Sequence, residues 1–378
     1  MYGMDRNAHS RLVATIPFES DQNGSIILQV KLNKSDRVLK LLFDTGADGM
    51  ALSKSLADSI GIKSDVKQSA SVVGGNAQIE ISRNNTVHLG DFSFPHQSIA
   101  LFDKMDSYDG IMGNALIKQY ITKVDYDNNM ISLYSFGDFD LKSEVGTNGH
   151  LVNVTMPSGL VIISGNLSVT KGKMYTGDFV FDLGAAYSLI CFRPFVKHNR
   201  LLVDGFQSEY MSTTRSLGMI TPTFTGAANS FQVGDMPPIN DLTVTLMSGG
   251  GQSESWNPGF DGSIGSKLIS KYNFIIDMQA KQILFSPNHS FHYPKNFIHS
   301  GMLFGFSPDG KLYFLHSVGT TVPKDGIEEA SEIIKINGLP SQLLRDQSGA
   351  LQNLLEKNDG HKWTIECRQN GKIVQLEI

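Results

Sequence analysis

The sequence predicts a mainly β protein, built as two related β lobes followed by a small α+β domain. Three observations carry this. Thirty-seven glycines in 378 residues call for many tight turns, which suits sheets better than helical bundles. The apolar stretches are short and often alternate with polar residues, as at Ile26, Leu28 and Val30, the period of a half-buried strand. An ordered set of landmarks also occurs twice.

The duplication can be followed residue by residue. Phe43-Asp44-x-Gly46-Ala47 returns 138 positions later as Phe181-Asp182-x-Gly184-Ala185. Leu12-Val13, before Pro17, is echoed by Leu151-Val152 before Pro157, and Leu89-Gly90-Asp91 by Val233-Gly234-Asp235. The run Asp109-Gly110-Ile111-Met112-Gly113 to Tyr120 lies over Asp261-Gly262-Ser263-Ile264-Gly265 to Tyr272. Its register continues without a gap, so that Asp277 falls on Asp125 and Ile283 on Ile131. The expected division is an N-terminal tail at 1–12, a first lobe at 13–148, a second at 149–293, and a separate domain at 294–378, long enough to fold by itself.

Within the first lobe, residues 11–35 read as a hairpin turning at Asp21-Gln22-Asn23-Gly24, and Val38 to Phe43 as a buried strand. A short helix is expected from Leu52 to Ile60, ended by Gly61. The pair Gly74-Gly75 interrupts β-like sequence and suits a hairpin tip. A strand pair around Gly90-Asp91, a helix near Asn114 to Tyr120, and a hairpin at Asp127-Asn128-Asn129 complete the lobe. The tail reads as strands at Lys311–Val318 and Glu332–Pro340, a helix at Ala350–Glu356, and strands at Trp363–Arg368 and Lys372–Ile378.

Composition narrows the function classes. The chain is 40% hydrophobic, 18% charged, and carries a net charge of −5, which argues against a nucleic-acid partner. No apolar run is long enough to span a membrane. The polar N-terminus has no leader-like pattern. Cys191 and Cys367 read as two buried thiols, compatible with the cytoplasm or a periplasm. The ten histidines show no metal-like spacing, so neither a metal nor another cofactor is expected. Gly-x-Ser-x-Gly and phosphate-loop patterns are absent.

The chemistry points to Asp44 and Asp182. Each ends a buried strand and enters a tight turn at Gly46 or Gly184, where close backbone approach favours glycine. Desolvation penalises an ionised carboxylate, so such a group is paired or used. Two pseudo-symmetric lobes can bring both carboxylates to a shared cleft, where they hold one proton between them. The ionised member can take a proton from water while the protonated member donates to a carbonyl oxygen.

These residues resemble the aspartic protease family. Asp44-Thr45-Gly46-Ala47 follows an apolar strand and precedes a Gly-rich segment and Ile111-Met112-Gly113. The Ala after Asp-Thr-Gly resembles the retropepsin branch, and the bilobal single chain resembles the pepsin-like one, over about 280 residues. The resemblance implies two pseudo-twofold-related acid-protease β-barrel lobes, catalytic Asp44 and Asp182, active-site turns containing Thr45, Gly46, Leu183 and Gly184, and a substrate-covering flap at Gly74-Gly75. It implies a peptide or protein substrate. Two departures mark the second lobe: Leu183 stands where the family has Thr or Ser, so the cross-turn hydroxyl bond comes from one side only, and Ser263 stands where an apolar residue is expected.

The tail resembles a PDZ domain, and the whole arrangement a bacterial type of protease. Phe304-Gly305-Phe306 would form the Φ-Gly-Φ loop that receives a peptide's C-terminal carboxylate, and Ile333-Ile334-Lys335-Ile336-Asn337-Gly338 matches the following strand. A docking appendage with a filled groove is the competing reading. For the whole chain, the expectation is an aspartic endopeptidase; the alternative is a protease-like peptide-binding protein in which Leu183 marks lost chemistry.

Overall fold

The fold is given by a computed structural model, which describes residues 9–72, 75–103, 105, 108–141, 143–144, 148–216, 219–248, 256–318, 326–347, 349–357 and 362–378. It is mainly β, and each lobe contains a closed barrel. In the first, strands Ile26–Leu32, Leu39–Phe43, Gly110–Met112, Met50–Ser53, Phe92–Phe102 and Gly75–Leu89 follow one another around the sheet. The pairing of Lys31 with His88 and Leu32 with Val87 closes it. In the second, the circuit is Ile162–Ser168, Tyr175–Asp182, Gly262–Gly265, Leu189–Cys191, Ile239–Met247 and Met219–Val233. It is closed by Gly165 to Ser168 against Val233 to Ser230.

A third sheet joins the lobes. Its order is Leu12–Pro17, Met130–Tyr134, Ile121–Asp125, Tyr272–Asp277, Gln282–Pro287 and His150–Asn153. At its centre Thr122, Lys123 and Val124 pair antiparallel with Ile276, Ile275 and Phe274, so related strands meet about a pseudo-twofold axis. The strands on either side of position 148 thus belong to one sheet. One hydrophobic core likewise runs from Ile16 through both lobes to Phe285. Phe181 packs edge-on against Phe274 of this sheet, with ring centroids 5.2 Å apart, which ties the strand carrying Asp182 to the inter-lobe platform.

Several local expectations change. Met50, Ala51 and Leu52 form a strand parallel to Ile99, Ala100 and Leu101, because their side chains are needed in the barrel core. The helix is confined to Lys54–Ser59, with the Ser53 hydroxyl accepting from the Leu56 N–H as its N-cap. Asn114 to Tyr120 makes helical-type bonds, Lys118 N–H to Asn114 and Tyr120 N–H to Leu116, but remains a series of turns. Cys191 and Cys367 are free and buried. Among the described residues no helix is long and apolar enough to cross a membrane.

The C-terminal unit has its own core, including Phe304, Phe314, Ile333, Ile336, Leu344 and Trp363. Its sheet runs Phe297–His299, Met302–Phe306, Leu312–Ser317, Glu332–Ile336, Thr364–Gln369, Lys372–Glu377. Helices Ser341–Asp346 and Ala350–Lys357 accompany it, the first of them not anticipated. The residues of the expected carboxylate-binding loop fall in this sheet. Phe304, Gly305 and Phe306 lie inside a strand, and Phe304 is wholly buried. On one side this strand is paired by the chain itself: Phe297 pairs with Phe304, Ile298 with Leu303 and His299 with Met302. The turn Ser300-Gly301, with positive φ at both residues, leaves no room for a longer loop. This unit also rests on the lobes. Tyr210 of the second lobe packs with Leu303, Leu315 and Val318, and His289 Nε2 meets the Pro308 carbonyl oxygen at 2.8 Å.

Candidate active site

Asp44 and Asp182 occupy equivalent places. The strand Leu39–Phe43 buries Leu39, Leu41 and Phe43 completely and runs parallel to Gly110–Met112. The strand Tyr175–Asp182 runs parallel to Gly262–Gly265 in the same way. Each turn is then clamped by the segment that follows its partner strand. Asn114 N–H donates to the Ala47 carbonyl at 3.0 Å, and Ser266 N–H to the Ala185 carbonyl at 2.8 Å. A Cβ on Gly113 would strike the carbonyls of Ala47 and Gly49; one on Gly265 would strike those of Ala185 and Tyr187. The apolar-apolar-Gly pattern therefore ends in glycine because backbone passes against backbone.

The two carboxyl groups cross at the lobe boundary. Gly46 N–H donates to Asp44 Oδ1 at 2.9 Å, and Gly184 N–H to Asp182 Oδ1 at 3.1 Å. A methyl group on Gly46 would collide with the Asp182 carboxylate, and one on Gly184 with that of Asp44. Each carboxylate thus lies over the other turn's glycine, and only a hydrogen leaves space for it.

Thr45 supplies the link between the turns. Its buried hydroxyl donates to the Phe181 carbonyl at 2.6 Å and accepts from the Leu183 N–H at 2.9 Å. Leu183 has no hydroxyl to return and instead packs, fully buried, in the common core. The one-sided link expected from the sequence is what these contacts describe.

A second pair of ties was not anticipated. Asn114, wholly buried, donates from Nδ2 to the carbonyls of Thr45 and Gly159, at 3.0 and 2.8 Å. Ser266, also wholly buried, donates from Oγ toward the carbonyls of Ala185 and Asn23, both at 3.1 Å. Each residue follows the glycine of its apolar-apolar-Gly segment, and each reaches from its own turn into the other lobe. The signal was present in the repeat register, which sets Ser266 over Asn114.

The electrostatics of the pair are asymmetric. Both carboxyls keep a partly open face but are surrounded by protein, and desolvation raises both pKa values. Asp44 is raised well above the usual carboxylate range, first by burial and then by the neighbouring Asp182 charge. Asp182 is also raised by burial, but hydrogen bonds oppose this, first from the Ser263 hydroxyl, then from Gly184 N–H, Asp44 and Ala185 N–H. The two carboxyls interact strongly, so they titrate as one pair rather than as separate groups.

Of the expected flap residues, Gly74 lies outside the described residues. Gly75 begins the strand Gly75–Leu89 and pairs with Val72 across the hairpin. The second lobe carries a matching hairpin, Tyr210–Ser216 with Met219–Val233, in which Ser216 pairs with Met219. Gly218 of the sequence falls close to the repeat position of Gly75 and could have indicated it. Phe304, Gly305 and Phe306 belong to the separate C-terminal sheet.

Residues 28–116 match the family described as aspartyl protease. This stretch contains the Asp44 turn, the first hairpin and Ile111-Met112-Gly113. No curated protein matches the chain. Among solved structures, the crystal structure of aspartic proteinase from Irpex lacteus is similar at 13% sequence identity and a TM-score of 0.45, covering 74% of this chain and 98% of that one.

Proposed function

We propose that the chain is an aspartic endopeptidase whose reaction is carried by Asp44 and Asp182. The observation that supports this most is the crossing of the two carboxyl groups over Gly46 and Gly184, where burial raises the pKa of both. A water held between the carboxyls loses a proton to the ionised aspartate as its oxygen attacks the peptide carbonyl. The protonated aspartate gives its proton to the carbonyl oxygen, forming a gem-diol. Collapse of the diol breaks the C–N bond, the amide nitrogen takes a proton from the first aspartate, and the diol returns one to the second. The sum is one water consumed, with one acid and one amine released. The match of residues 28–116 to the aspartyl protease family supports the same reading for the first half of the site.

Under this reading the hairpins Val66–Val72 with Gly75–Leu89, and Tyr210–Ser216 with Met219–Val233, border an extended peptide. The segments 13–148 and 149–293 act as one catalytic unit. The segment 294–378 is a docked appendage whose peptide-accepting edge its own strand fills. Hydrolysis of a mixed peptide library, compared between wild type and Asp44→Asn, tests the proposal. Turnover that depends on Asp44 supports it, and equal turnover rejects it. Peptide binding by the wild type without turnover at any pH favours the non-catalytic alternative raised by Leu183.

A further inference from the structure

The two lobes differ at one position beside the carboxylates. In the first lobe Leu42 pairs in parallel register with Ile111, and Asp44 lies two residues beyond Leu42. In the second, Val180 pairs with Ser263, and Asp182 lies two residues beyond Val180. Partners in parallel register share a face, as do residues two apart on a strand. Ile111 and Ser263 therefore stand on the carboxylate face of their lobes, at equivalent places. One is an isoleucine; the other, 3% exposed, carries a hydroxyl. The position that departs from the apolar pattern in sequence is the position from which a hydroxyl reaches Asp182.

We propose that Ser263 is a positioning residue that holds Asp182 as the ionised, water-activating member of the pair and leaves Asp44 as the proton donor. This rests on the peptidase reading above. The rest of the surroundings agrees with it. A carboxylate accepts hydrogen bonds best when ionised. Asp182 accepts from Ser263 and from the N–H groups of Gly184 and Ala185, whereas among the described residues Asp44 is met by the Gly46 N–H and its neighbour's carboxyl. Ile111 can offer Asp44 nothing comparable. The loss of a threonine at Leu183 and the gain of a serine at Ser263 thus fall in the same lobe. The first removes a hydroxyl between the turns, and the second adds one to the carboxylate.

The step assigned to each residue balances. Asp182 takes the proton of the attacking water, so the O–H bond of water breaks as the O–C bond forms. Asp44 O–H transfers its proton to the carbonyl oxygen as the π pair moves there. Ser263 keeps its proton throughout.

Two measurements test the role. In Asp44→Asn protein, where Asp182 titrates alone, carboxyl-labelled aspartate NMR follows its ionisation with and without Ser263→Ala. Removing one hydrogen bond to a charged acceptor should move that titration upward by about one pH unit. In the protein with both aspartates, Ser263→Ala should move the acid limb of kcat/KM upward by a similar amount, while Ser263→Thr, which keeps the hydroxyl, should return it toward the wild-type position. Unchanged titration of Asp182, or superimposed pH profiles for wild type and Ser263→Ala, overturns the proposal. A loss of thermal stability with no movement of either curve assigns Ser263 a packing role and also overturns it. Absence of any wild-type hydrolysis rejects the peptidase reading instead, and the NMR titration then still decides whether Ser263 controls the ionisation of Asp182.

Discussion

Thr45 Oγ1 accepts a hydrogen bond from the Leu183 N–H at 2.9 Å, joining the Asp44 turn of one lobe to the Asp182 turn of the other. The same hydroxyl donates to the Phe181 carbonyl, so one buried side chain satisfies two backbone groups across the boundary. Thr45→Val should leave both groups unpaired and destabilise the protein by about 2–4 kcal/mol. Thr45→Ser should keep most of that stability. Urea unfolding of the three proteins measures the difference.

Gly184→Ala tests the crossing of the carboxylates. The added methyl collides with the Asp44 carboxylate, while Gly184 itself is only half-buried and sits at a turn. The fold should survive with displaced reacting groups. A misplacement of about 1 Å costs on the order of 10²-fold in rate. The expected result is near-native circular dichroism with kcat/KM reduced by at least that factor.

Asp44→Asn should stabilise the protein at neutral pH. The folded-state pKa of Asp44 is raised well above its ordinary value by burial and by the Asp182 charge, so the folded protein binds more protons than the unfolded chain between the two values. Stability therefore falls as pH rises through the folded-state pKa, and it is restored as pH drops toward about 3.9, the unfolded value. Asparagine removes this dependence. Melting temperatures of wild type and Asp44→Asn should differ most near pH 7 and converge as the solution is acidified.

Asn114→Ala should behave as an inter-lobe lesion. The substitution strands the Thr45 and Gly159 carbonyls, and each buried unpaired acceptor costs about 1–3 kcal/mol. Ser266→Ala should do the same more weakly, because its two bonds are longer. A lower melting temperature in both variants, larger for Asn114→Ala, is the expected outcome.

Much of the two β lobes was legible because their signal is repeated. Phe-Asp-x-Gly-Ala at two places, followed in each case by the glycine that must pass under a turn, constrains backbone geometry strongly enough to be read from residues alone. Asn114 and Ser266 escaped notice because their partners are carbonyls, which any residue supplies and which sequence therefore does not mark. Ser263 was noticed only as an irregularity; its register opposite Val180 gives it a place beside Asp182. In the C-terminal unit the Φ-Gly-Φ pattern is less specific, since Phe304-Gly305-Phe306 also satisfies the demands of a buried strand. The glycine there faces Asn296, whose side chain leaves no space for a Cβ. Leu52 was drawn into a helix by the periodicity of the following residues, although the parallel partner that makes Met50 to Leu52 a strand, Ile99 to Leu101, lies far along the chain.

Asp44 and Asp182 are proposed to share a proton and together hydrolyse peptide bonds. The most direct test is kcat/KM as a function of pH on a mixed peptide library, for wild type, Asp44→Asn and Asp182→Asn. A bell-shaped wild-type profile is expected on the acid side of neutrality, with each substitution lowering turnover by about 10²–10⁴-fold. Turnover unchanged in either variant, or a wild type that binds the peptides and cleaves none across the range, would contradict it.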